Sequence, residues 1–135
     1  MSSGVLQWKK CTTLSKQIRE GRPVAKEFVW AKDKEGSIHI KSRKSAKTFS
    51  SEDYNAMISY VSANPSGVPL GSRRDRDIPS DSIGALMERR RKTSSIRGWC
   101  SHLAAIAVQQ NDLSYDDKGR GPGRGVWLYP KDMDS

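Results

Sequence analysis

The most regular pattern in the chain lies between residues 96 and 107, where Ile96, Trp99, Cys100, Leu103, Ile106 and Ala107 fall at i, i+3, i+4, i+7, i+10 and i+11. That spacing puts six apolar side chains on one helical face. "TSS" at 93–95 interrupts and recaps the chain before this helix, which ends near Gln110, Asn111 and Asp112. A second helix is read in "SSEDYNAMISYVSANP", 50–65, where Tyr54, Met57, Ile58 and Val61 recur at i, i+3, i+4 and i+7. Ser50 followed by Asp53 resembles a capping box, and Asn64-Pro65 stops the helix. Between the two, "SDSIGALMERRRK", 80–92, offers Ser80 as N-cap, Asp81 in the first turn and a thin apolar face of Ile83, Leu86 and Met87. Its last turn holds Arg89, Arg90, Arg91 and Lys92, where the helix dipole favours cations.

Elsewhere the period shortens to that of strands. "EFVWA" and "SIHIK", separated by the polar turn "KDKEG", predict a β-hairpin. Before it, "CTTLSKQIREG", 11–21, predicts a short helix, with Thr12 or Thr13 as cap, Leu14 and Ile18 four apart, and Gly21 as stop. "GVPLG", 67–71, is a brief edge strand that tolerates Pro69. "LSY" and "VWLY" flank a loop in which glycines 119, 121, 123 and 125 alternate with other residues, and they predict two strands joined by a long hairpin loop.

The order of elements from residue 50 to 130 is helix, short strand, helix, tight turn, longer helix, strand, loop, strand. It resembles a winged helix-turn-helix domain. The resemblance implies that the helix beginning near Ser94 enters the major groove of DNA and that the hairpin loop, the wing, follows the backbone or the adjacent minor groove. Carried onto this chain, Ser94, Ser95, Arg97, Ser101 and His102 face DNA, with Arg97 the candidate for a base-edge contact because a guanidinium can offer two hydrogen bonds to guanine. In the loop, Lys118, Arg120 and Arg124 supply charge while the glycines allow close approach to a surface, and Trp127 and Leu128 fix its base to the core. Arg89, Arg90, Arg91 and Lys92 add to the same basic surface.

Charge supports a polyanionic partner. The 135 residues carry a net charge of +9, an attraction that precedes any specific contact. Residues 1–70 hold twelve basic against six acidic residues and the remainder twelve against nine, so the amino-terminal part shares in the binding, dimerises or docks on a partner. Trp8, Trp30 and His39 read as packing residues rather than base-stacking platforms. With 35% hydrophobic and 29% charged residues, one core with polar surroundings is expected.

Candidate chemistry is sparse. Cys11 and Cys100 have no metal spacing and read as thiols of an intracellular protein, cytoplasmic or associated with nucleoid or nucleus. Apolar windows are too short for a membrane span. Cys100 and His102 lie two apart, which on a helix turns them away from each other. Phosphate-loop and dinucleotide glycine motifs are absent. Asp81 with Asp116, Asp117 and Lys118 loosely imitates the carboxylates and lysine of a metal-dependent nuclease, but all four fall where turns and helix starts place such residues anyway.

The sequence therefore predicts an α+β protein: an extension of a small N-terminal helix and β-hairpin over 1–49, then a winged helix-turn-helix over 50–135. The expected function is non-catalytic binding of double-stranded DNA in transcription or replication regulation, with no cofactor, metal or membrane. RNA bound through the Gly/Arg loop, or an acidic protein partner, is the alternative, and homodimerisation stays open.

Overall fold

The described residues between 9 and 49 supply six strands in a computed structural model that describes residues 6–15, 18–23, 25–43, 45–72, 77–118 and 125–131. β1 (Lys9–Thr12) is followed by a small ribbon of β2 (Ile18–Arg19) and β3 (Arg22–Pro23), then by β4 (Glu27–Lys32), β5 (Ile38–Lys41) and β6 (Ala46–Phe49). Strands β1, β4, β5 and β6 make one antiparallel sheet in the order β1-β4-β5-β6. Its register puts Cys11 beside Phe28, Trp30 beside Ile40, and Ile38 beside Phe49, so the apolar side chains share one face and are buried there.

The short helix expected over 11–21 is not what forms. Lys9–Thr12 is a strand, and Ile18–Arg19 pairs antiparallel with Arg22–Pro23 around Glu20 and Gly21, both at positive φ (54° and 75°), as a two-residue hairpin loop demands. The reason is non-local. Pairing Cys11 with Phe28 completes the sheet edge and buries the thiol, which outweighs a thin helical face of two apolar residues.

The second half begins with α1 (Ser51–Ser62), capped as its sequence suggests: Ser50 Oγ accepts from the Asp53 N–H at 3.1 Å. β7 (Val68–Pro69) follows. α2 (Ile83–Arg91) starts two residues later than the Ser80 cap implied, because Ser82 Oγ both accepts from Ala85 N–H and donates to Pro79 O, at 3.1 and 2.7 Å. Gly84 N–H donates to Leu70 O at 2.9 Å, and a Cβ at 84 would overlap the Gly71 carbonyl, so only glycine lets the chain leaving β7 press against α2.

Lys92, at φ 57° and ψ 36°, ends α2 in the left-handed region. A 3-10 turn, Ser94–Ile96, leads into α3 (Arg97–Gln109). α3 ends in a Schellman arrangement: Asn111 takes φ 68°, its N–H reaches Val108 O, and Asp112 N–H reaches Ala107 O. β8 (Leu113–Asp117) and β9 (Val126–Pro130) pair antiparallel, and β7 joins the far side of β9, giving the order β7-β9-β8.

α3 is the spine of the molecule. Leu103, Ala104, Ala105, Ile106 and Ala107 are all at most 1% exposed, which a helix covered on a single side does not show. α2, β8 and β1 all pack against α3, and the buried cluster includes residues from both 1–49 and 50–135. Among the described residues, no helix is long and apolar enough to cross a membrane. The architecture of those residues is α+β, with three α-helices and two principal antiparallel sheets.

Candidate nucleic-acid interface

The turn between α2 and α3 is where exposed basic residues gather. The left-handed Lys92 swings the chain out of α2, and Thr93 Oγ1 accepts from Ser95 N–H at 3.3 Å and shares a hydrogen bond with Ser95 Oγ at 3.0 Å, fixing the approach to α3. Arg97, at the first position of α3, donates from Nε to Glu88 Oε1 at 2.6 Å. Arg89 donates to Ser80 O at 3.1 Å. Between these groups lies an open cleft of about 540 Å³, lined by Ile78, Ser80, Ala85, Glu88, Arg89, Lys92, Thr93 and Arg97. Three cations face one carboxylate there, so the cleft favours an anion.

The four basic residues at the end of α2 divide into two pairs. Arg89 and Lys92 line the cleft. Arg90 and Arg91 turn to α1, where they reach the two carboxylate oxygens of Asp53, each at 2.9 Å. Burial alone would raise the Asp53 carboxyl, but the hydrogen bonds and charge of Arg90 and Arg91 outweigh it and hold the group below the usual carboxylate value.

The helix positions expected to face DNA divide as well. Ser94 and Ser95 belong to the 3-10 turn, and Ser95 is exposed. Arg97 borders the cleft. Ser101 Oγ donates back to Gly98 O at 3.2 Å. His102 lies between Phe28 and Trp99, with ring centroids 4.7 and 5.1 Å away, and burial lowers its pKa below the ordinary histidine value. Phe28 belongs to the first sheet, so the first sheet covers α3 from about His102 onward. Sequence reasoning missed this, because the residue that meets His102 lies 74 positions away.

On the hairpin, Lys118 N–H donates to Gly125 O at 2.8 Å, extending the β8–β9 ladder by one step. Lys118 Nζ stands 4.3 Å from the Trp127 ring centroid and 5.9 Å from that of Tyr129. Leu128 is fully buried and roots the hairpin as expected, while Trp127 is half-buried. Arg120 and Arg124 lie outside the described residues.

Of the three side chains read as packing residues, Trp30 packs in the core, while the His39 side chain is 29% exposed on the outer face of the sheet. Trp30 is 1% exposed. His39 bridges Asp33 Oδ2 at 2.8 Å and Thr48 Oγ1 at 3.0 Å, and the hydrogen bond to Asp33, first among its causes, lowers the Asp33 pKa. Trp8 instead stands 39% exposed, a correction to the packing expectation; only its place one step before β1, with no apolar partner in sequence, could have signalled it.

Both thiols are buried and free, and burial pushes Cys100 up to about 12, where it is a poor nucleophile. Among the described residues, no group of three or more His, Cys, Asp or Glu side chains could hold a metal ion. Comparison with protein-family models, curated proteins and solved structures finds no match.

Proposed function

We propose that this chain is a non-catalytic double-stranded DNA-binding protein of the winged helix-turn-helix kind, acting in the regulation of transcription or replication. The observation that carries the reading is the element order α1-β7-α2-α3-β8-β9 combined with the strand order β7-β9-β8: two helices joined by a short turn stand beside a three-stranded sheet whose outer hairpin bears the Gly/Arg loop.

The contact surface is narrower than the whole length of α3. Packing of the first sheet on His102 and beyond leaves the first turn of α3 for DNA, with Ser95 and Arg97 beside Arg89, Lys92 and Thr93 of the cleft. Arg97 is held by Glu88, so a phosphate or a guanine edge competes with Glu88 for its guanidinium. Lys118, Arg120 and Arg124 of the hairpin engage phosphates, which position the molecule without reading sequence.

Fluorescence anisotropy with a random duplex at two salt concentrations tests the reading. Steep salt dependence is expected. Arg97→Ala flattens preference among duplex sequences, whereas Arg120→Ala with Arg124→Ala weakens all duplexes alike and lowers the salt slope by about 0.9 for each phosphate no longer neutralised. Absence of duplex binding at low salt sinks the proposal.

A further inference from the structure

The outward face of the four-stranded sheet carries groups that duplex binding through α3 does not use. The register aligns Lys10, Val29, Lys41 and Ala46 in one row across β1, β4, β5 and β6, with His39, Thr48 and the fully covered Ala31 in the next. These residues point away from the buried face that holds Phe28, Trp30, Ile38 and Ile40. Lys10 and Lys41 are exposed. Trp8, two residues before Lys10 and 39% exposed, belongs with this face: Lys41 Nζ lies 4.5 Å from its ring centroid.

An exposed indole costs free energy in water unless something covers it, and Lys41, which lies over one face of the ring, adds positive charge there. A partner that satisfies both needs flat apolar surface for the indole and negative charge spaced alongside. Unpaired nucleotides have that composition, whereas in a duplex the base faces are already stacked on one another. The charge agrees, since residues 1–70 carry twelve basic against six acidic groups. Small Ala46 and the half-buried Val29 between the lysines leave the row low enough for a strand to lie across it.

We propose that this sheet face binds single-stranded DNA, with Trp8 stacking on a base and Lys10 and Lys41 meeting the flanking phosphates. DNA is chosen over RNA because the polar groups of the neighbouring row are bonded to each other, His39 to both Asp33 and Thr48, rather than aimed outward to read a 2′-hydroxyl. That choice also rests in part on the duplex-binding reading above. The two surfaces then lie on opposite sides of the packing between α3 and the sheet, and the protein holds paired and unpaired DNA at once.

The test is anisotropy titration of the full chain with labelled oligothymidylate of about 20 nucleotides, the matching oligouridylate and a blunt duplex, using wild type, Trp8→Ala, Trp8→Phe and Lys10→Gln with Lys41→Gln. Far-UV circular dichroism confirms that each variant is folded. Trp8→Ala is expected to weaken oligothymidylate binding at least about five-fold, with Trp8→Phe retaining most of it, while duplex affinity stays at the wild-type level. The double lysine variant lowers the oligothymidylate salt slope by about 0.7 for each phosphate it ceases to neutralise. Unchanged oligothymidylate binding by Trp8→Ala, an equal loss on the duplex, or tighter binding of oligouridylate overturns the proposal. If the wild type ignores duplex yet binds oligothymidylate through Trp8, the sheet face stands and the duplex reading falls; the reverse pattern removes only the sheet face.

Discussion

The indole N–H of Trp30 donates to Oε1 of Gln109 across 2.6 Å, joining the centre of the first sheet to the last turn of α3. The same amide donates from Nε2 to Lys10 O at 2.8 Å, so one side chain ties two strands, β4 and β1, to the helix. Gln109→Ala leaves the Trp30 donor and the Lys10 acceptor without these partners, and a loss of about 1–2 kcal/mol is expected. Urea denaturation reads the total, and hydrogen exchange should show the largest loss of protection in β1. A uniform loss over all elements would mean that Gln109 is not a local clasp.

Lys92 combines two properties that pull in opposite directions. As a non-glycine residue at φ 57° it strains the chain, yet it lines the cationic cleft. Lys92→Gly should therefore stabilise the fold by about 0.5–1 kcal/mol. The same change should weaken duplex binding and reduce its salt slope by about 0.9. Thermal melts and anisotropy on one preparation check both signs together, and parallel losses of stability and binding would contradict the assignment.

Asp53 joins α1 to the end of α2 through Arg90 and Arg91, with its own side chain 7% exposed and theirs about one-third exposed. Its folded-state pKa is lowered. The stability it contributes is thus present above the unfolded value of about 3.9 and is lost as pH falls through the folded value. Asp53→Asn should cost about 2 kcal/mol near neutrality, less than a fully buried pair because the arginines are partly solvated. Chemical denaturation from pH 7 downward should bring the wild-type and Asp53→Asn curves together in acid; a constant gap would exclude ionisation as the source.

Glu88 is the carboxylate among the cations of the cleft, and it holds Arg97 at 2.6 Å. Glu88→Gln removes the competing charge while keeping an acceptor. Duplex affinity at low salt should rise by about three- to ten-fold. A fall would mean that Glu88 is needed chiefly to aim Arg97, and sequence preference would then fall with it.

The helices were legible because their signals are local. Tyr54, Met57 and Val61 are buried as their spacing implies, and Ser50 caps α1. The brief strand at Val68–Pro69 and the hairpin β8–β9 also lie where the turn residues put them. β1 and β6 were not legible, because "KKCT" and "AKTF" each contribute one buried residue, Cys11 and Phe49, and gain their strand character from partners across the sheet. The helix start at Ile83 was ambiguous for a different reason: Ser80 and Ser82 are both good caps, and Pro79 O selects Ser82. At the candidate interface, the run Arg89 to Lys92 looks uniform as text, but only the buried Asp53 separates its cleft-lining members from its structural ones.

The Lys118–Gly125 hydrogen bond closes the β8–β9 ladder before the six residues 119–124 begin. The hairpin below that bond is held by its own pairing and by the buried Leu128. The ladder up to the Lys118–Gly125 bond is therefore a fixed mount at the base of the loop. Doubling the length of a loop closed by such a mount costs only about 0.6 kcal/mol of closure entropy, so the ladder itself sets no narrow limit on the length of chain it can carry.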